Sequence, residues 1–324
     1  MYTRQRWGRG FTYRYEDGSV IKNKDTRDWI ESLVIPPAWQ EVQISEDRTA
    51  DRLVEGRDAA GRKQYIYHEN YRARQQEAKY DRMLKFAERL EVMRVTTGKH
   101  LRKRKLTREK VLACMVRLLD TAYFRVGSLK YAKQNGSYGL TTLRRRHLVC
   151  DGEELIFHYD GKSGQEQERS VVDRQLCKVV NELAELPGYR LFKYELDSGE
   201  KHYVDSDELN EYISQIMGEQ FSAKDFRTWG GTVVAATTLS EMDYCDSTED
   251  QQDCIREAVK KTAERLGNTP AIAKESYVDP RVLSKYSEGV TTAQMDKQIK
   301  ARAQTYEHLS EDELRVICLL SEAA

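Results

Sequence analysis

The spacing of apolar and polar residues changes at about residue 70. Before this point, aromatic or aliphatic side chains alternate with polar ones in three short runs, residues 11–15, 42–44 and 64–67. This period of two is typical of β-strands, and Asp17-Gly18 follows the first run as a turn. The pattern predicts a small, mostly antiparallel β domain over residues 1–72.

Beyond this point the apolar spacing approaches the 3.6-residue period of a helix. Residues 73–90 are rich in strong helix formers. Thr107 precedes an apolar stripe at helical spacing and is a suitable N-cap. Ser222 and Asp225 have the spacing of a capping box at the start of another helix. Gly267 follows a further periodic segment as an expected C-cap.

A short β segment interrupts these helices. Between residues 146 and 172, turn signals at residues 151–152 and 160–164 separate apolar runs, which predicts a β meander. The fold class is therefore α+β. We expect a small antiparallel β N-terminal domain, residues 1–72, and a larger, mostly α-helical domain, residues 73–324, that contains the meander.

The composition describes a polar chain. Its 324 residues carry 53 Lys and Arg against 53 Asp and Glu, so the formal net charge is zero. Charged residues make up 33% of the chain and the mean hydropathy is −0.75, which favours a water-soluble protein without a membrane partner. The longest apolar stretch, residues 232–239, is far shorter than the roughly 20 residues that span a bilayer. Arg4, Arg6 and Arg9 have no apolar segment after them, so no secretory signal is expected.

The cysteines predict a reducing compartment. No two of them form a C-x-x-C pair, so their spacing indicates neither a zinc ribbon nor a redox motif. We expect buried free thiols and a cytoplasmic location. The cysteines are Cys114, Cys150, Cys177, Cys245, Cys254 and Cys318.

The zero net charge conceals a segregation of charge along the chain. Basic residues concentrate in residues 94–110 and again in residues 144–147, and we expect them near the surface that binds a polyanion. Phosphate binding requires local positive potential rather than a positive total. The alternative is that each charge run is only a solvated face. The acidic residues that compensate are Glu241, Asp243, Asp246, Glu249, Asp250 and Asp253.

Motifs for common cofactors are missing from the sequence. It has no G-x-x-x-x-G-K-[ST] loop for ATP, and no H-E-x-x-H, EF-hand or Cys/His cluster for a metal. Phosphoryl chemistry without either needs fixed cations that take up the developing charge. Arginine suits this role, because its planar guanidinium grips two phosphate oxygens and stays protonated. We therefore expect no cofactor.

Five short motifs occur in a characteristic order. They are Arg125-Val126-Gly127, Gly161-Lys162, Lys224-Asp225-Phe226-Arg227-Thr228, Leu266-Gly267-Asn268-Thr269-Pro270 and Lys274-Glu275-Ser276-Tyr277. In this order the sequence resembles the type IB DNA topoisomerases, and most closely their small poxvirus-like and bacterial branch. Residues 34–39 and 61–67 resemble that branch's N-terminal domain. The resemblance covers roughly residues 25–290.

The resemblance implies a role for each motif. Tyr277 would attack a DNA phosphodiester and form a 3′-phosphotyrosyl link, while Arg125 and Arg227 would clamp the non-bridging oxygens of the transition state. Lys162 would protonate the 5′-oxygen leaving group, with assistance from Lys224. Because the covalent link conserves the bond energy, supercoils would be released and the strand resealed without ATP or metal.

Asn268 departs from the family's pattern, since many relatives have His at this position. An Asn amide donates the same hydrogen bond to a non-bridging oxygen but has no proton to transfer. We therefore assign Asn268 a hydrogen bond to the phosphate and no acid–base role. The substitution also favours a bacterial over a viral origin.

Three other functions share parts of this pattern. Tyrosine recombinases use similar Arg, Lys and Tyr residues, but they usually have His-x-x-Arg where this chain has Lys224-x-x-Arg227. A DNA-binding clamp that has lost activity is disfavoured, because the nucleophile and the cations are all retained. A metal-dependent nuclease would lose its activity in EDTA.

The resemblance also implies a partner. This would be duplex DNA, held by a monomer whose two domains form a C-shaped clamp in the cytoplasm, at the nucleoid. Polar and aromatic groups of the β domain and exposed groups of the helical domain are the expected contacts. They are Gln64, Tyr65, Tyr67, Lys130, Tyr131, Arg144 and Arg145.

Overall fold

A computed structural model describes residues 1–242 and 247–321 of the chain. The chain separates into two compact units, Met1–Asp81 and Arg82–Ala324. The expected domain boundary after residue 72 stays a prediction, as does the C-shaped clamp.

The first unit is built on an antiparallel sheet. Its strands are β1 Tyr2–Trp7, β2 Gly10–Arg14, β3 Gln40–Ile44, β4 Arg52–Arg57 and β5 Lys63–Tyr67, and helix α1 is Lys24–Ser32. The strand order is β2-β1-β3-β4-β5. Ile44 and Val54 from the sheet pack with Ile30 from the helix in a small core. The predicted antiparallel β domain is confirmed, and helix α1 is an addition that the strand pattern did not predict.

Helix α2, Glu69–Leu101, begins where the sequence period changes. It contains the segment that helix propensity predicted, residues 73–90. The boundary between the two units falls within it, after Asp81.

The second unit is mostly helical, as predicted. Its further helices are α3 Arg108–Ala122, α4 Leu129–Asn135, α5 Arg174–Glu185, α6 Ser206–Met217, α7 Ala223–Ser240, α8 Thr248–Leu266, α9 Pro270–Ser276, α10 Pro280–Ser287, α11 Asp296–Arg302 and α12 Glu311–Ser321. The predicted meander consists of β6 Leu148–Asp151, β7 Glu154–Asp160 and β8 Glu166–Val172, and β9 Lys193–Glu195 pairs with β10 Lys201–Tyr203. In the described ranges, no helix is long and apolar enough to cross a bilayer.

The predicted capping residues determine where three helices begin or end. The Thr107 hydroxyl accepts from the Lys110 N–H at the start of α3. At the start of α7, the Ser222 N–H donates to the Asp225 carboxylate at 2.8 Å. Gly267 ends α8 with φ of +62°, a conformation that glycine adopts without strain. Helix α3 is buried on nearly every side and packs against α5, α6 and α7, which makes it the centre of this unit.

The first basic segment does not form a single solvated surface. Arg94 is almost buried and pairs with Asp120 and Glu313, and Lys110 is buried and pairs with Glu182 at 3.0 Å. The expectation that the segment lies near a polyanion-binding surface is therefore wrong for Arg94 and Lys110. Tertiary packing brings carboxylates to both side chains from distant parts of the sequence.

The remaining charge and thiol expectations have mixed outcomes. Cys150 is exposed on β6, which is an edge strand, so the expectation of buried thiols is wrong there, and Cys254 is half-buried. The buried free thiols are Cys114, Cys177 and Cys318. Glu249 and Asp250 are exposed in the first turn of α8, where the helix dipole favours them. Outside the described residues lie Asp243, Cys245 and Asp246.

Candidate active site

Tyr277 lies in the short link between helices α9 and α10. Thr269 caps α9, and a proline occupies the first turn of each helix. The Tyr277 N–H donates to the Ala273 carbonyl at 2.9 Å and so ends α9. Asp279 caps α10, and its buried carboxylate pairs with Arg281 at 2.7 Å. Both helices therefore fix the backbone on either side of the tyrosine.

Helix α7 approaches this link without an intervening side chain. A Cβ at Gly231 would lie 2.7 Å from the Tyr277 carbonyl oxygen, so the approach requires glycine. The Thr232 hydroxyl accepts from the Asp279 N–H at 3.1 Å and shares its one hydrogen between the Thr228 carbonyl, at 2.9 Å, and the Tyr277 carbonyl, at 3.3 Å. Helix α7 therefore holds the Tyr277 backbone directly.

Arg227 extends from the first part of α7, and its guanidinium is buried. It donates to the carbonyl oxygens of Tyr123 and Leu266, the second at 2.9 Å. Its Cζ atom lies 5.0 Å from the centroid of the Tyr277 ring. Its buried Nε has no partner in the part of the chain that the structure describes. The guanidinium therefore lies over the tyrosine ring with one donor unused.

Arg125 follows helix α3 in a loop that two glycines hold in place. Gly127 has φ of +90°, and a Cβ at Gly139 would lie 2.6 Å from the Gly127 Cα, so the two backbones touch. From this loop the Arg125 side chain donates to the Gly267 carbonyl at 2.8 Å and to the amide oxygen of Asn268. The glycine pair thus places Arg125 at the C-terminus of α8.

Lys162 and Lys224 are both exposed. Lys162 begins the turn Lys162–Gly164 between β7 and β8, and Lys224 lies at the start of α7, close to Arg227. A cleft of about 460 Å³ is lined by Lys162 together with Arg125, Asn268 and Tyr277. The structure therefore brings the predicted catalytic residues of distant sequence segments to one place.

The charges around Tyr277 favour its ionised form. Burial raises the pKa of the Tyr277 phenol, but the Arg227 guanidinium, followed by Arg125 and Lys224, outweighs burial and holds the pKa below its usual value. Burial and the charge of Arg125 lower the pKa of Arg227 to about 10, so this guanidinium stays protonated at neutral pH. Across residues 1–242 and 247–321, no group of three or more His, Cys, Asp or Glu side chains could hold a metal ion.

Known protein families match most of the chain. Residues 68–305 match the family model described as eukaryotic DNA topoisomerase I, catalytic core. Residues 10–58 match the model of the bacterial DNA topoisomerase IB N-terminal domain. The chain belongs to the type IB DNA topoisomerase family.

Individual topoisomerases are similar over nearly the same length. DNA topoisomerase 1B of Acanthamoeba polyphaga mimivirus is 30% identical over 290 residues, which cover 87% of this chain and 86% of the viral protein. DNA topoisomerase 1B of Vaccinia virus (strain Copenhagen) is 26% identical over 291 residues, covering 85% and 87% of the two chains. The family expected from the motif order is confirmed. A bacterial origin stays a prediction.

The DNA-contact candidates of the topoisomerase's first unit lie on strand β5. Tyr65 and Tyr67 share one face, with ring centroids 5.9 Å apart, and Tyr67 also stacks on Tyr71 at 5.0 Å. Gln64 alternates with the tyrosines and donates to the Asp58 carboxylate at 3.0 Å. The tyrosines and Gln64 therefore point to opposite faces of the sheet.

The candidates of the second unit are mostly exposed. Lys130 and Tyr131 are exposed on helix α4, and Arg145 is exposed just before β6. Arg144 is half-buried, with its Cζ 5.3 Å from the centroid of the Tyr138 ring. Contact of any of these residues with DNA stays a prediction.

Two cleft residues of the topoisomerase were missed by the sequence analysis. Gln167 and Arg169 on β8 are buried and line the same cleft as Tyr277. They alternate inward along the strand with Val171. Polar side chains at alternate positions are usually interpreted as the solvated face of a strand, so only the neighbouring valine could have indicated the opposite orientation.

Proposed function

We propose that this topoisomerase relaxes supercoiled duplex DNA by cutting and resealing one strand. Tyr277 gives its proton to solvent water, and the phenolate oxygen attacks the phosphorus of a phosphodiester. The bond to the 5′ oxygen breaks, and a 3′-phosphotyrosyl link forms. Lys162, with help from Lys224, gives the proton that the departing 5′ oxygen takes up. Reversal of these steps restores the strand, so no ATP is needed.

One observation carries this proposal: buried donors beside Tyr277 have no protein partner. They are the Nε of Arg227 and the Nδ2 of Asn268, within the described part of the chain. Buried unpaired donors are costly, and the non-bridging oxygens of a phosphodiester would satisfy both. The Asn268 amide oxygen accepts from Arg125, so its NH₂ group is the half left for the phosphate.

The fixed charges support the same step. A phenol with a lowered pKa is ionised more often at neutral pH, which favours attack. Arg125 and Arg227 would supply two cations beside the pentacoordinate phosphorus, where negative charge develops. Because the protein supplies these cations itself, we expect relaxation to continue in EDTA.

Duplex DNA is the substrate in this proposal, and the acting species is a monomer. Basic side chains would hold the phosphates, and aromatic side chains would add contact area. Gln64 and Arg144 would exchange an internal partner for the DNA. The proposed contacts are Gln64, Tyr65, Tyr67, Lys130, Tyr131, Arg144 and Arg145.

The test is Tyr277→Phe, measured by plasmid relaxation in EDTA and by covalent protein–DNA adduct after denaturation. We expect DNA binding without adduct or relaxation. Tyr189→Phe is the matched control, because it removes only the hydroxyl of an exposed tyrosine.

Each other outcome would indicate a different function for the protein. An adduct in Tyr277→Phe would assign the nucleophile elsewhere. A wild-type protein that binds DNA but forms no adduct would be an inactive binding protein. Activity that requires pairing of two DNA sites would indicate a recombinase, and loss of activity in EDTA would indicate a metal-dependent nuclease.

A further inference from the structure

Three arginine side chains end on consecutive carbonyl oxygens at the C-terminus of helix α8. The donor and carbonyl pairs are Arg169 with Arg265, Arg227 with Leu266, and Arg125 with Gly267. Carbonyls at a helix C-terminus carry partial negative charge and lack intrahelical partners, so cations suit them. Arg125 and Arg227 belong to the proposed reaction, whereas Arg169 has no role in it.

Arg169 is buried without a carboxylate partner among the described residues. It is 7% exposed, it donates to the amide oxygen of Gln167 at 2.8 Å, and its Nε has no partner there. Burial lowers the pKa of Arg169 and outweighs the opposing effect of the Tyr159 hydroxyl, while the nearby charges of Arg265 and Arg125 lower the pKa further. A buried guanidinium without a counter-charge destabilises a fold, so its presence in the cleft points to a role there.

Gln167, the partner of Arg169, lies between two turns that carry cleft residues. A Cβ at Gly161, the residue before Lys162, would lie 2.7 Å from the Gln167 Cγ. A Cβ at Gly267, at the end of α8, would lie 2.0 Å from the Gln167 Oε1. The Gln167 side chain therefore packs against both glycines, and the hydrogen bond from Arg169 fixes it in this position.

We propose that Gln167 and Arg169 form a positioning pair that sets the distance between Lys162 and Tyr277. The pair joins the β7–β8 hairpin, whose turn carries Lys162, to the C-terminal turn of α8, where the other cleft cations are anchored. This inference rests on the proposed function, because it requires Lys162 to act as the general acid.

Precise placement matters for this step. A general acid must come within hydrogen-bond reach of the leaving oxygen. A displacement of about 1 Å costs on the order of 10²-fold in rate. Loss of the pair would therefore slow protonation of the 5′ oxygen while leaving DNA binding intact.

The test compares two DNA substrates that differ in one leaving atom. One has the ordinary 5′ oxygen and the other has sulfur, which leaves as a thiolate and needs no proton because a thiol has a pKa of only about 8.5. We expect Arg169→Met and Gln167→Ala to form the adduct roughly 10- to 100-fold more slowly on the oxygen substrate. On the sulfur substrate both variants should approach the wild-type rate.

Two further variants are an intermediate case, Arg169→Lys, and a control, Arg256→Met. The lysine variant keeps the charge but cannot bridge the Arg265 carbonyl and Gln167 in the same way, so it should be intermediate on the oxygen substrate. Arg256→Met removes an exposed arginine of helix α8 and should match wild type on both substrates.

Two results would overturn the positioning role: equal slowing on both substrates, or wild-type rates on the oxygen substrate. If Arg169→Met fails to fold in a thermal melt, Gln167→Ala carries the test, since it leaves the buried guanidinium in place. A wild-type protein that forms no adduct with either substrate would refute the proposed function instead.

Discussion

Two groups of buried or half-buried arginine in the second unit differ in what holds them. Arg94 donates to both carboxylate oxygens of Asp120 and of Glu313, at 2.7–2.9 Å. Arg125 and Arg227 donate instead to backbone carbonyls at the end of α8, and neither pairs with a carboxylate in the described residues. The charge of Arg94 is more than offset by its two carboxylates, while Arg125 and Arg227 keep their positive charge.

The pKa shifts follow the same division. Burial alone would lower the pKa of Arg94, but Asp120 and Glu313 outweigh it and raise the pKa above its usual value. Burial and Arg125 lower the pKa of Arg227 to about 10. An arginine whose charge is offset by carboxylates does not attract an anionic ligand. Pairing with carboxylates, rather than burial, therefore separates Arg94 from the arginines that we propose to bind the phosphate.

Replacing Arg227 should produce the largest change in the reaction. Arg227→Met removes the charge over Tyr277 and the unused donor, so adduct formation should fall about 10³-fold or more. The free energy of unfolding should change little, because relief of a buried unbalanced charge offsets the lost hydrogen bonds. Single-turnover cleavage and urea denaturation measure the two quantities. A large loss of stability would erase the contrast with Arg94.

Replacing Arg94 should give the opposite profile. Arg94→Met leaves the buried carboxylates of Asp120 and Glu313 without their cation, so the free energy of unfolding should fall by about 3–5 kcal/mol. The folded fraction should still form the adduct at close to the wild-type rate. Urea denaturation measures this loss of stability. The control is Arg102→Met, which removes an exposed arginine just after α2. Slow cleavage by a fully stable variant would contradict the assignment.

Asn268→Asp should give the Arg125–Arg227 group a carboxylate, as Arg94 already has. Asn268→Asp puts a carboxylate beside Arg125 and removes the amide donor that we assign to the phosphate. Adduct formation should fall by about 10²-fold, and to below the rate of Asn268→Ala, because the new charge also repels the phosphate. If the Asp and Ala variants cleave equally, the net charge of the group is unimportant.

The smallest expected effect is a shift in pH dependence. In the proposed reaction the phenolate of Tyr277 attacks the phosphorus. The rate of adduct formation should therefore rise with pH through the pKa of Tyr277, which the cations hold below its usual value. Lys224→Met removes one of these cations, so the rising limb should move to higher pH and the rate at pH 7 should drop. Lys260→Met, an exposed lysine of α8, is the control. If the rising limb of the pH profile does not move, Lys224 does not help to lower the pKa of Tyr277.

Sequence reasoning succeeded where the determining chemistry is local. Thr107 and Gly267 each act within one helical turn, so their neighbours in the chain suffice to predict a helix end. Helix α1 was missed although Asn23 caps it by accepting from the Thr26 N–H at 2.9 Å. The reason is that this nine-residue helix contains only two apolar residues, Trp29 and Ile30, which are too few to show a helical period in the sequence.

Sequence reasoning failed where the partner is distant. Arg94 looks like one member of a basic run, and its partner Glu313 lies 219 residues away. In the sequence Arg169 looks like an exposed strand residue. It is buried because it donates to acceptors that include a carbonyl 96 residues away, which the local sequence does not show. The catalytic residues were predicted from the order of their motifs, whereas the hydrogen bonds that hold their side chains became visible only in the fold.

The contact between Gly231 and Tyr277 has a consequence for genetics. Every substitution of a glycine adds at least a Cβ, and at Gly231 this atom would meet a backbone oxygen at 2.7 Å. No second mutation at residue 277 can remove that oxygen. At the adjacent Gly230, the same atom would meet the Tyr123 ring, at 2.1 Å, which a smaller residue could vacate. In a suppressor screen, a second substitution at residue 123 should therefore restore the function of Gly230→Ala. Gly231→Ala should regain function only by reversion to glycine.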